Sequence, residues 1–242
     1  MKRSMSKHFL IAARMVVVAW ALTQIAPAES LNVTAQINAV REGAQKSKQA
    51  LGAKNVAVWL QPSPGGLRPT GEVKTERFRL IQKDKQFIPH LLVVPIGSSV
   101  EFPNLDPFYH NVFSLFNGKR FDLGLYEAGT VRTVHFDHEG VSYIFCNIHP
   151  EMGAVVIAVP TPYFAVTNAN GNVTIRDVPE GVYELNVWAE GARPESLTSL
   201  KRIVRLGPTT RDLGVIQVVE DSIPTTHKNK FGEDYPPAVR PY

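Results

Sequence analysis

From Leu31 onward, apolar side chains fall on every second residue: Leu31, Val33, Ala35, Ile37 and Ala39 alternate with Asn32, Thr34, Gln36 and Asn38. A helix cannot gather such a pattern onto one face. A strand does so automatically, because successive side chains point to opposite sides of a sheet. Further strand candidates lie at 56–60, 87–94, 131–136, 141–146, 154–159 and 183–188. Turn chemistry separates the runs, at Pro95-Ile96-Gly97, Asn117-Gly118, Asn170-Gly171 and Pro179-Glu180-Gly181. Only 42–53 has helical composition, and it lacks a firm apolar face. With 17 Gly and 18 Pro punctuating many short strands, the fold class is all-β, built as β-sandwiches.

The first 28 residues read as a segment removed before folding. Lys2, Arg3 and Lys7 form a basic start, 15–22 is apolar, and Ala26-Pro27-Ala28 is a small-residue cleavage site. Arg14 limits the apolar run, and a membrane span needs roughly 20 such residues, so no stable span is expected after cleavage. The whole chain has a formal net charge of +4, but four of its 26 basic residues lie in this segment, which holds no acid. Subtracting them leaves 22 basic residues against 22 acidic ones, so nucleic-acid binding has no electrostatic support. An exported, periplasmic location follows, and it changes the meaning of cysteine. Thiols in an oxidising compartment normally pair. This chain has one, Cys146, which must be buried or occupied to persist.

Cys146-Asn147-Ile148-His149-Pro150-Glu151-Met152 lies between two strand patterns, which puts a thiolate at a strand end and an imidazole and a thioether on the turn back. His110 opens another strand pattern 36 residues upstream, with Asn111 beside it. Two imidazoles, one thiolate and a weak thioether make the ligand set of a blue-copper site, a His₂Cys plane with a long axial Met. The expected ligands of one type 1 copper are therefore His110, Cys146 and His149 in the plane and Met152 on the axis. Asn111 is expected to pin the Cys146 turn, as hydrogen-bonded neighbours of metal ligands do. Taken singly, each residue has a plainer reading: a buried cysteine, a loop histidine, a methionine filling the core.

The stretch from about 78 to 159 resembles the cupredoxins, the plastocyanin and amicyanin group. The resemblance rests on Phe87-Ile88-Pro89, on 94–102, on His110-Asn111, and on the C-x₂-H-P-x-M turn, whose short form is closest to amicyanin. It implies a Greek-key sandwich and copper carried between a redox donor and an acceptor protein, with electrons passing near the edge of His149. The flanks resemble a carboxypeptidase regulatory-like, transthyretin-like sandwich, through 170–175 and the P-x-G-x-Y turn Pro179-Glu180-Gly181-Val182-Tyr183. The expected order is a signal peptide (1–28), a first part of the accessory sandwich (29–75), a cupredoxin domain (76–160), the second part of the accessory sandwich (161–219) and an extended polar tail (220–242). A simpler division assigns all of 29–160 to the copper domain.

The function expected from these residues is single-electron transfer without bond chemistry. A copper chaperone or storage protein would use the same ligands, and an envelope interaction or carbohydrate-binding module would have lost the metal. No further histidine cluster of the H-x-H kind, no haem attachment motif, no nucleophile elbow and no P-loop occurs, so the protein is not expected to be an enzyme. His135 and His138 read as a solvated turn, His90 as a strand residue and His227 as part of the tail. Asp106 and Glu127 read as loop carboxylates. Trp59 and Trp188 lie inside strand patterns and read as core.

Overall fold

The computed structural model describes residues 30–41, 51–64, 77–115, 118–220 and 226–235. The signal segment and most of the 42–53 stretch lie outside these residues. The chain opens with β1 (Ser30–Arg41), β2 (Leu51–Gly52) and β3 (Val56–Pro62). It continues through β4 (Phe78–Arg79), β5 (Ile81–Lys83), β6 (Gln86–Ile88), β7 (Leu91–Pro95), β8 (Ser98–Pro103) and β9 (His110–Ser114). Next come β10 (Phe121–Tyr126), β11 (Val131–Phe136), β12 (Gly140–Phe145) and β13 (Gly153–Val159). The last part holds β14 (Phe164–Val166), β15 (Asn172–Pro179), β16 (Gly181–Ala189), α1 (Pro194–Leu200), β17 (Arg202–Leu206) and β18 (Asp212–Glu220). The class is all-β, as its residue alternation predicts.

Pairing joins the two ends of the chain. β1 lies between β15 and β18, and β3 lies between β14 and β16, with β17 outermost. These two sheets enclose one core: Leu31, Val33, Ala35 and Ile37 from β1 meet Val56, Val58, Leu60, Leu185 and Val187 from the facing sheet. Residues 78–159 form a second sandwich, a five-stranded sheet in the order β10-β9-β12-β13-β7 facing β11-β8-β4. Phe102, Phe136, Val112, Ile144 and Val156 fill it, with Cys146 and Met152 at one end.

Period two also explains how the sandwiches join. β13 is apolar throughout, because Ala154, Val156 and Ala158 face the inner core while Val155, Ile157 and Val159 face outward. A strand buried on both faces reads as a continuous apolar run rather than an alternating one. The outward set meets Ala57 and Trp188 from the other sandwich, with Leu91 and Val93 beside it. Trp188 is thus the junction residue, and Trp59 packs half-buried against the same cluster.

The structure differs from the sequence reading at several points. The run at 87–94 is broken at Pro89–His90 into β6 and β7. His90 is therefore not a strand residue; its Nε2 lies 2.6 Å from Glu190 Oε2 in the other sandwich. Leu51–Gly52, near the end of the stretch of helical composition, pairs as a strand with β1. The helix among the described residues is α1, started by Pro194 with Glu195 in its first turn, as suits a helix N-terminus. The described part of the tail, 226–235, lies against the turn that follows β12. Among the described residues no helix is long and apolar enough to cross a membrane.

Candidate metal centre

β12 and β13 pair antiparallel, with Phe145 opposite Gly153, so 146–152 is the connection between them. It closes tightly: Cys146 N–H donates to Met152 O at 3.2 Å, and Met152 N–H to His149 O at 3.1 Å. β12 pairs with β9 only at Phe145 and Phe113, which carries the chain leaving β12 past the start of β9. His110 sits there. Its Nδ1 lies 3.6 Å from Cys146 Sγ, and His149 Nδ1 lies 3.5 Å from the same sulfur.

These three donor atoms all lie within 4.8 Å of one another. Bonds of about 2.0–2.3 Å to nitrogen and sulfur, in a trigonal or tetrahedral arrangement, space donors roughly 3.3–3.8 Å apart. The two sulfur–nitrogen separations fall in that range, so the donor set fits one soft first-row ion. Met152 is buried in the same core as Cys146. Backbone N–H groups of Asn111, Ile148 and His149 point at the sulfur.

Electrostatics favour neutral donors awaiting a cation. Burial pushes the Cys146 thiol above its ordinary pKa, against the pull of the three N–H groups. The protein without a metal holds a thiol there, and a cation takes the proton's place. Burial also lowers His149, assisted by its neighbours His110 and Lys85. His149 is thereby biased toward its unprotonated form, and it is half-buried. Phe108, 38% exposed, packs against both rings, its centroid 5.1 Å from that of His110 and 6.0 Å from that of His149.

Asp106 is the site residue that sequence reasoning missed. It is 4% exposed, and its Oδ2 lies 2.7 Å from His110 Nε2. A carboxylate on the outer nitrogen fixes the ring's tautomer and leaves Nδ1 free to act as a ligand. The same carboxylate accepts N–H bonds from Asp84 at 2.7 Å and Lys85 at 3.0 Å. Burial alone would raise this carboxyl; the Lys85, His110 and Asp84 bonds outweigh it and hold the carboxyl below its usual range. The one signal available in the sequence is an acid four residues before His110, and such spacing is commonplace in loops.

Asn111 does not pin the turn with its side chain. Its amide donates to Asp122 Oδ1 at 2.7 Å, and only its backbone N–H reaches the sulfur. Asp122 Oδ2 in turn holds Lys230 Nζ at 2.7 Å, and Lys230 N–H donates to Asn147 Oδ1 at 2.8 Å. His135 and His138 stay away from the cluster: Nδ1 of His135 lies 3.4 Å from Ser99 Oγ, and Nδ1 of His138 lies 2.7 Å from Asp137 Oδ1.

The fold and site together define an all-β chain whose inner sandwich gathers two imidazoles and a thiol at one buried end. No protein-family model matches this chain, and no match was found among curated proteins. Among solved structures it is similar to a copper-containing nitrite reductase of Thermus scotoductus SA-01, at 18% identity and a TM-score of 0.34. That match covers 50% of this chain and spans only 28% of the reductase. A purple cupredoxin of Nitrosopumilus maritimus is 23% identical over 42% of this chain and 97% of its own, with a TM-score of 0.28. A reduced amicyanin is 18% identical over 39% of this chain and 98% of its own, with a TM-score of 0.31.

Proposed function

We propose that this chain is an exported, periplasmic blue copper protein that carries single electrons between a donor and an acceptor protein and catalyses no bond chemistry. The observation that carries this reading is the convergence of His110 Nδ1, Cys146 Sγ and His149 Nδ1, with sulfur–nitrogen separations of 3.6 and 3.5 Å. One type 1 copper, when bound, supplies the one-electron couple. The protein's part is to hold His110 through Asp106, to keep water from the sulfur by burying Cys146, and to leave the His149 edge open for exchange. Together with His110, Cys146 and His149, Met152 would hold the ion, and its soft thioether would tune the couple. The outer sandwich we read as a carboxypeptidase regulatory-like module, a reading supported by the pairing of β1 and β3 with strands from the far end of the chain. Export rests on the character of residues 1–28.

The test is to load the purified protein with copper(II) and record its visible spectrum. Intense thiolate-to-copper absorption near the red end, absent in Cys146→Ser, is expected. If Cys146→Ser and His110→Ala both kept one equivalent of copper with an unchanged spectrum, the ligand assignment would be wrong. Fast electron self-exchange separates a carrier from a storage protein.

A further inference from the structure

We propose that residues 226–235 form a strap that fixes the turn 146–152, with His227 and Tyr235 as positioning residues for the metal site. The outward-facing acceptors of that turn are met from this segment, about eighty residues further along the chain. Tyr235 Oη donates to Cys146 O at 2.9 Å. Lys230 N–H donates to Asn147 Oδ1 at 2.8 Å. The His227 ring places Nε2 3.1 Å from His149 O, and the backbone N–H of His227 donates to Pro150 O at 3.0 Å. Three of these contacts are made to the backbone of Cys146, His149 and Pro150, so they act on the conformation of the turn itself. Proline supplies no N–H of its own, and a seven-residue connection has few internal bonds with which to hold its shape.

Packing seats the strap over the strand end. The His227 ring stacks on Phe145, the residue before Cys146, with centroids 4.3 Å apart and planes 26° from parallel. Tyr235 stands edge-on to His227 at 5.5 Å. The segment is itself a compact turn: Asn229 Oδ1 accepts the N–H groups of Phe231 and Glu233, and Asn229 N–H donates to Glu233 O. Lys230 then ties the strap to the other ligand-bearing element. Its ammonium holds Asp122, which holds the Asn111 side chain next to His110. Both halves of the donor set, His110 on β9 and Cys146 with His149 on the turn, are thereby tied to one segment.

A strap of this kind holds the turn in its ligand geometry whether or not an ion is present. The metal-site role of these residues rests on the copper reading above; the clamping of the turn does not, and the experiment separates the two. Hydrogen exchange is measured on the metal-free, full-length protein, comparing wild type with Tyr235→Phe, His227→Ala, the double variant and Lys228→Ala as a control. Tyr235→Phe keeps the ring and removes only the hydroxyl, so it tests the idea even where the double variant folds poorly. Opening of 146–152 is expected to rise about fivefold in Tyr235→Phe and about 30-fold in the double variant, the equivalent of one and two net hydrogen bonds. Amides of β1 and β16 should keep their wild-type rates. In copper-loaded protein, release to a chelator should speed up in the same order, and His227→Gln, which retains a donor, should restore part of the loss.

Wild-type exchange rates in the turn of both Tyr235→Phe and the double variant would overturn the strap. So would an equal acceleration in β16, which would mean general destabilisation. Failure of the wild type to take up copper would overturn the function proposed above and leave the exchange comparison to decide the strap.

Discussion

Replacing Asp106 by Asn removes one charge and almost no volume, so the cost can be worked from its hydrogen bonds alone. Oδ1 accepts the Asp84 N–H, and Oδ2 accepts both the Lys85 N–H and His110 Nε2. An amide has a single acceptor oxygen. Turned toward Lys85 and His110, it keeps two bonds but gives up the charge that makes such bonds roughly twice as strong. Its NH₂ then faces the Asp84 N–H, a donor against a donor, and leaving that partly buried donor unpaired costs toward the lower end of about 1–3 kcal/mol. The position offers little relief through water, because Asp106 is 4% exposed. Asp84 and Lys85 also have positive φ angles of 54° and 57° between β5 and β6, a conformation that non-glycine residues resist. The carboxylate holds that turn, so relaxation there adds to the loss. A total of about 2–4 kcal/mol is expected for Asp106→Asn. The assay is urea unfolding of the metal-free protein at neutral pH, read as a change in midpoint at constant slope. The sign with pH is fixed: a carboxyl held below its ordinary range stabilises the fold above that range, and the contribution disappears as pH falls through the folded value. The gap between wild type and variant should therefore close in acid. A loss under about 1 kcal/mol at neutral pH, or a gap that persists in acid, would refute the reasoning, since neither fits a buried carboxylate that satisfies three donors. With copper bound, the same variant should weaken metal affinity roughly 10–100-fold, because His110 loses the partner that orients it.

Other expectations follow from the junction and the turns. His90 is raised by its bond to Glu190, so its contribution is complete below the unfolded pKa near 6.5 and fades as pH rises through the folded value. Thermal unfolding from pH 6 to pH 9 should show this small decline in wild type and not in His90→Ala; because the pair is partly exposed, the effect stays below about 1 kcal/mol. Trp188→Ala empties the centre of the cluster that joins the sandwiches and should cost about 3–5 kcal/mol in chemical unfolding. Gly118 has a φ of +115°, and a Cβ there would stand 2.6 Å from Val141 O and Ser142 Oγ. Gly118→Ala should accordingly lose at least about 2 kcal/mol, and a neutral result would mean that the chain near β12 can shift to make room.

Along the chain, legibility follows distance. The all-β class is written locally, because alternation such as that of Leu31 to Ala39 has one geometric meaning and each Gly or Pro turn marks its own end. The turn 146–152 is equally local: its cysteine, histidine and methionine sit within seven residues, so their chemistry shows before any folding is known. The run 154–159 reads as a strand, yet nothing in it says that both faces are buried or names Trp188 and Ala57 as what covers the outer one.

Tertiary structure alone decided which distant groups meet. The β9–β12 pairing brings His110 to 3.6 Å from the sulfur of Cys146, and the same folding turns an ordinary loop acid, Asp106, into the anchor of that imidazole. The aspartate, lysine and tyrosine around the turn carry no pattern in sequence, because a hydrogen bond between residues far apart leaves no periodicity to read. Asn111 shows the limit most clearly: its place beside His110 is visible in the sequence, but the direction of its amide, toward Asp122 and away from the turn, is set by the bulge between β9 and β10 and by Lys230 arriving from the far end of the chain. Local chemistry determines which atoms are on offer. Only the packing of the whole chain determines which of them face one another, because that choice is made by long-range pairing and shared burial.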